Sequence, residues 1–61
     1  MPISGKEMLR KFCENGWVII RNRGSHVMLR KEEKNETIPI HGNKDLKKGL
    51  EKKLLKRLEE K

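Results

Sequence analysis

Apolar residues along the chain fall into short groups, and their spacing changes from one group to the next. Met8, Leu9, Phe12 and Cys13 recur at the interval of one helical face. Ser4 and Glu7 precede them as an S-x-x-E capping box, in which each side chain can satisfy the other residue's backbone donor, and Ile3 stands where it would staple onto Met8. Asn15-Gly16 tolerates the left-handed turn that closes such a segment, so a helix is predicted over residues 5–14. Trp17-Val18-Ile19-Ile20 is short, β-branched and aromatic, which predicts a strand, and the turn cluster Asn22-Arg23-Gly24-Ser25 predicts a hairpin loop after it. His26 to Lys31 forms the second strand. A polar stretch, Glu32 to Asn35, leads into a third strand, Thr37-Ile38-Pro39-Ile40, where Pro39 cannot donate to a ladder and so belongs at a sheet edge. After the turn residues His41-Gly42-Asn43, Leu50, Leu54 and Leu58 recur at i, i+4 and i+8 with Leu55 beside them, the stripe of an amphipathic helix. Gly49 marks its beginning, because glycine inside a helix costs about 1 kcal/mol relative to alanine, and residues 44–48 are left as a basic loop.

The predicted order is α-β-β-β-α, an α+β fold in one small domain over residues 1–61. Its three-stranded antiparallel sheet carries both helices on one face, the simplest way to bury two helical stripes and one sheet surface. Alternation along strands then divides the side chains. Val18, Ile20, Val27, Leu29, Ile38 and Ile40 are expected to face the core. Ile19, Arg21, His26, Met28, Arg30, Thr37, Pro39 and His41 are expected on the open face. Trp17 is expected to cover the junction of helix and sheet, since a chain with two aromatics can hardly leave both exposed, and Cys13 to sit buried as a small hydrophobe on its apolar helical face.

Composition adds a direction. Sixteen Lys and Arg against nine Asp and Glu give a net charge of +7, which attracts polyanions and makes nucleic acid the first partner to consider. The Lys-rich tail alone would read as a solvated helix face, but the excess is spread along the whole chain. One cysteine excludes an internal disulfide, and no Cys/His cluster suggests zinc or another metal cofactor. The longest apolar run, Trp17 to Ile20, is four residues, far below the roughly 18 that a membrane span requires, and no signal-peptide pattern opens the chain, so a cytoplasmic protein without a membrane partner is expected. A domain of 61 residues buries only about 60% of its unfolded surface, so its stability is marginal and a bound partner would raise it.

His26 is the side chain best suited to move protons near neutral pH. RNA brings its own nucleophile, the 2′-hydroxyl, so its cleavage without metal needs a base, an acid and cations around the charge that develops on phosphorus. His26 with Arg21, Arg23 and the backbone amides near Gly24 would supply most of this, and Arg30 converges with Arg21 and His26 on the exposed sheet face as a further RNA-binding residue. Taken alone, His26 fits an exposed sheet histidine that merely caps the hairpin better than a catalytic group, and His41 fits a turn residue better than a second reactive group. The residues by themselves leave two other readings open. One is a non-catalytic RNA-binding module that uses the basic loop and helix to follow phosphates. The other is a protein-interaction domain presenting Ile19, Met28 and an uncovered strand edge.

Several short motifs occur together in a definite order: Ser4-Gly5-Lys6-Glu7 with Leu9 following, Asn15-Gly16-Trp17, Gly24-Ser25-His26, Ile38-Pro39-Ile40-His41, and Lys44-Asp45-Leu46-Lys47-Lys48-Gly49. In that order and spacing the chain resembles, essentially end to end, the HicA mRNA-interferase toxins. The resemblance implies a fold like that of double-stranded RNA-binding domains, ribosome-independent endonucleolytic cleavage of messenger RNA without a cofactor, and neutralisation by a HicB-type antitoxin. It places the catalytic role on His26. Gly24 and Ser25 enter as neighbours in its motif, and the loop containing Lys44 and Lys47 as a region that contacts phosphate.

Overall fold

The computed structural model describes residues 3–42 and 44–60; Asn43, expected in the turn after the third strand, lies outside the described residues, as do the termini. The elements run α1 (Gly5–Glu14), β1 (Val18–Arg23), β2 (His26–Lys31), β3 (Lys34–Pro39) and α2 (Lys48–Glu59). This is the expected α-β-β-β-α order, with an antiparallel sheet in the spatial order β1-β2-β3.

Local chemistry accounts for α1. The Glu7 N–H donates to Ser4 Oγ at 3.2 Å and the Met8 N–H to the Ser4 carbonyl at 3.0 Å, so Ser4 satisfies two donors of the first turn. Met8 and Phe12, one turn apart, are fully buried, and the Phe12 ring meets Trp17 edge-on at a centroid distance of 5.0 Å. Trp17 thus closes the junction between helix and sheet, as its position predicts. Cys13 does not follow Phe12 inward: it lies in the Leu9 row at the flank of the stripe, near the helix end, and is exposed.

Val27, Leu29 and Ile38 from the sheet join Met8, Phe12 and Trp17 in one core, and Leu54 of α2 completes it. Ile3, Leu9, Ile40, Leu46, Leu50, Leu55 and Leu58 pack around this cluster. Both helices therefore cover the same sheet face and leave the other open.

The first strand departs from the simple alternation. Val18, Ile19 and Ile20 are 62%, 46% and 53% exposed, so the expected burial of Val18 and Ile20 does not occur. Two physical causes combine. β1 is an edge strand, and the buried sheet residues all come from β2 and β3. The pairing also skips Ile20: Ile19 opposes Leu29 but Arg21 opposes Met28, and such an irregularity reverses which residues face which side. Val18 is consequently on the open side, opposite Arg30, and Ile19 on the helix side, opposite Leu29. The strand also runs on to Arg23, which shortens the predicted loop to a turn at Gly24-Ser25, and Gly24 there adopts φ +54°, a left-handed conformation that glycine takes without steric cost.

β3 begins at Lys34, earlier than the hydrophobic pattern predicts, and Glu36 faces the core beside Ile38 with 7% exposure. Its carboxylate accepts from Arg57 Nε of α2 at 2.7 Å, with Lys53 Nζ at 3.9 Å. The bond to Glu36 is the main cause that holds the Arg57 guanidinium above its ordinary pKa, against the opposing effect of burial. The pair ties α2 to β3. Arg57→Ala should therefore lower the melting temperature by leaving a buried carboxylate with a mostly exposed lysine, and adding Glu36→Leu should restore much of the loss. A double variant as unstable as the single one would place the effect in the packing of the Arg57 stem instead.

Candidate functional site

The open sheet face is organised in ranks set by the strand register. At the hairpin end, His26 has Arg23 opposite on β1 and Pro39 opposite on β3. The next rank on that face is Arg21, Met28 and Thr37, and the one beyond is Val18, Arg30 and Asn35. With a rise of about 3.4 Å per residue, these ranks lie roughly 7 and 14 Å from His26 along the strand. His26, Arg21, Arg23, Gly24 and Arg30 are exposed and Ser25 is half-buried. Arg23 and Arg21 are thus the near guanidinium groups. Arg30 shares the face but not the cluster, and its Nε donates to the Glu32 carbonyl at 2.8 Å.

The far side of His26 is closed by the end of β3. The Ile40 N–H donates to the Ser25 carbonyl at 2.6 Å, extending the β2–β3 ladder past Pro39 and pinning the hairpin tip to the segment that carries His41. The two imidazoles stand 6.5 Å apart between centroids, with their planes at 84°. Beyond His41 opens a cleft of about 400 Å³ walled by Pro39, His41, Leu46 and Leu50, with Lys44, Asp45 and Lys47 along it. The loop that forms this wall is held to the N-terminal segment: the Leu46 N–H donates to the Ile3 carbonyl at 2.8 Å, Ser4 bridges Asp45, and the Ile3 N–H donates to Glu51 Oε1 at 2.8 Å. Lys44 and Lys47, both exposed, therefore border the His41 side of the site rather than the Arg21 side.

The arrangement presents two imidazoles between two groups of cations, Arg21 and Arg23 on one flank and Lys44 and Lys47 on the other. Guanidinium and ammonium groups bind and neutralise phosphate, while imidazole exchanges protons near neutral pH. Among the described residues no group of three or more His, Cys, Asp or Glu side chains gathers to hold a metal ion, and no helix is long and apolar enough to cross a membrane.

His41 is the residue whose relation to the others is hardest to read in advance. Its place on the open face follows from alternation, but its nearness to His26 depends on where the β2–β3 turn falls. The turn lies at Glu32-Glu33, within a polar run of four residues that marks no single reversal point.

Residues 5–59 match the family described as HicA toxin of bacterial toxin–antitoxin. No curated protein and no solved structure matches the chain.

Proposed function

Because this chain belongs to the HicA toxin family of bacterial toxin–antitoxin systems, we propose that it is the toxin component and acts as an endoribonuclease on messenger RNA, with His26 moving a proton at the scissile phosphate. The observation that carries this reading is the placement of an exposed imidazole at the hairpin end of an open sheet face, directly opposite Arg23 and one rank from Arg21. The 2′-hydroxyl of the substrate is the nucleophile. Its attack on phosphorus displaces the 5′-oxygen of the next nucleotide and leaves a cyclic phosphate and a 5′-hydroxyl, with no water consumed. Arg21 and Arg23 hold the non-bridging phosphate oxygens, and the backbone amides at Gly24 and Ser25 add donors where negative charge grows. Arg30, Lys44 and Lys47 bind phosphates further along the strand, which makes affinity fall as salt rises.

Membership of the family implies an antitoxin partner. A HicB-type protein that covers the open face, and with it Arg21, His26 and Arg30, would silence the chain by exclusion.

The test is incubation of the purified chain with a mixed RNA substrate in excess EDTA, with the new ends identified chemically. Cyclic phosphate and 5′-hydroxyl ends are expected, together with suppression by the antitoxin in proportion to its amount. Tight, salt-sensitive binding without new ends would instead favour a module that holds RNA and leaves it whole.

A further inference from the structure

In-line displacement at phosphorus requires two proton transfers on opposite sides of the same atom: one from the attacking 2′-oxygen and one to the leaving 5′-oxygen. One imidazole near that phosphate serves one of these positions. A guanidinium does not serve the other, because it does not release its proton in proteins.

We propose that His41 is the second proton-transfer group, working as a pair with His26 across one phosphate. The proposal rests on the ribonuclease reading above. Its support is geometric. An imidazole nitrogen bonds an oxygen at about 2.8 Å, so two rings with centroids 6.5 Å apart can each reach a different oxygen of a phosphate lodged between them. The spacing is built into the sheet. His26 is locked opposite Pro39, the Ile40 N–H is bonded to the Ser25 carbonyl, and His41 follows at once. What fixes the turn after β3 is the backbone of His41, whose carbonyl accepts from the Lys44 N–H at 3.0 Å, so its exposed side chain remains available for chemistry.

The step balances as follows. One imidazole, neutral, takes the 2′-hydroxyl proton as the 2′-oxygen bonds to phosphorus. The other, protonated, gives its proton to the 5′-oxygen as the P–O5′ bond breaks. The pair ends with its protons exchanged and is reset through water. Cleavage by such a pair peaks at the pH where one ring is neutral and the other charged, and falls on both sides. The charged groups facing the pair are Arg21 and Arg23 from β1 and Lys44, Asp45 and Lys47 from the loop; α1 meets this end of β3 with the uncharged Gly5, and α2 brings Leu50.

The experiment is the pH profile of kcat/KM for RNA cleavage by the parent chain and by His41→Gln, with binding of an uncleavable 2′-deoxy-substituted RNA and circular dichroism measured on both. The parent should show a bell-shaped profile. His41→Gln should keep its fold and its affinity, lose about 10²-fold or more at the optimum, and lose one limb of the bell; the limb that disappears identifies His41 as acid or base. A full bell with near-parental rate in His41→Gln overturns the pair and leaves the ribonuclease reading standing. A uniform loss with both limbs retained overturns it as well, by assigning His41 a positioning role. Failure of the parent itself to cut RNA overturns the ribonuclease reading and the pair with it.

Discussion

His26→Ala is expected to lower RNA cleavage severely while leaving the molecule folded. The loss should be about 10²- to 10⁴-fold, the range by which one positioned acid or base accelerates a reaction. The residue is exposed, and its contribution to the fold is through the backbone ladder to Arg23 and Pro39, which alanine preserves. Affinity for RNA should change little, because phosphate binding falls, in the function proposed above, to Arg21, Arg23, Arg30 and the lysines. Single-turnover cleavage, a filter-binding titration and a thermal melt separate these three effects. A variant that cuts at the parental rate, or one that fails to fold, would remove His26 from the role assigned to it.

Gly5→Ala is expected to have the largest effect on stability relative to its size. A Cβ at this buried position would collide with the Pro39 carbonyl oxygen and press within 3.1 Å of the Ile40 Cα and 3.3 Å of its Cγ1. Two of these neighbours are backbone atoms, so α1 and the end of β3 would have to move apart. Overpacking of this kind costs about 1–3 kcal/mol. That is a large share of the roughly 3–9 kcal/mol that a domain of this length commands, and it should lower the melting temperature by about 5 °C or more. Gly49→Ala provides the contrast: nothing lies within 4 Å of its added Cβ and the residue is helical, so it should stabilise by about 0.5–1 kcal/mol. Because Gly5 abuts the segment leading to His41, Gly5→Ala should also impair cleavage at temperatures where it remains folded. Parental stability in that variant would show that the two elements yield more easily than their contact implies.

Much of this architecture was legible in the chain because it is local. The bounds of α1 follow from Ser4, Glu7 and Asn15-Gly16, and α2 follows from its leucine spacing. The open-face positions of His26, Arg30 and His41 follow from alternation. What escaped is what pairing decides. No residue within Trp17-Val18-Ile19-Ile20 announces that its partner strand will skip Ile20, or that the buried sheet residues will all come from β2 and β3. Glu36 shares the phase of Ile38 and Ile40, a signal that it faces inward, but its stability there depends on Arg57, distant in sequence on α2. The neighbourhood of His26 and His41 is hidden for the same reason: the position of a tight turn in a uniformly polar run decides it.

The bare edge of β1 also bears on how the free chain behaves at high concentration. An unpaired edge is a template for another strand, and Val18, Ile19 and Ile20 give this one apolar side chains as well. The break in pairing at Ile20 shortens the straight run that a second chain could match. The remaining protection is colloidal: copies each carrying +7 repel one another before their edges meet. That repulsion reaches about 30 Å at 0.01 M salt and about 8 Å at 0.15 M. Dispersion of the free chain is therefore governed by ionic strength, and salt that loosens its hold on a polyanion also lets its own copies approach.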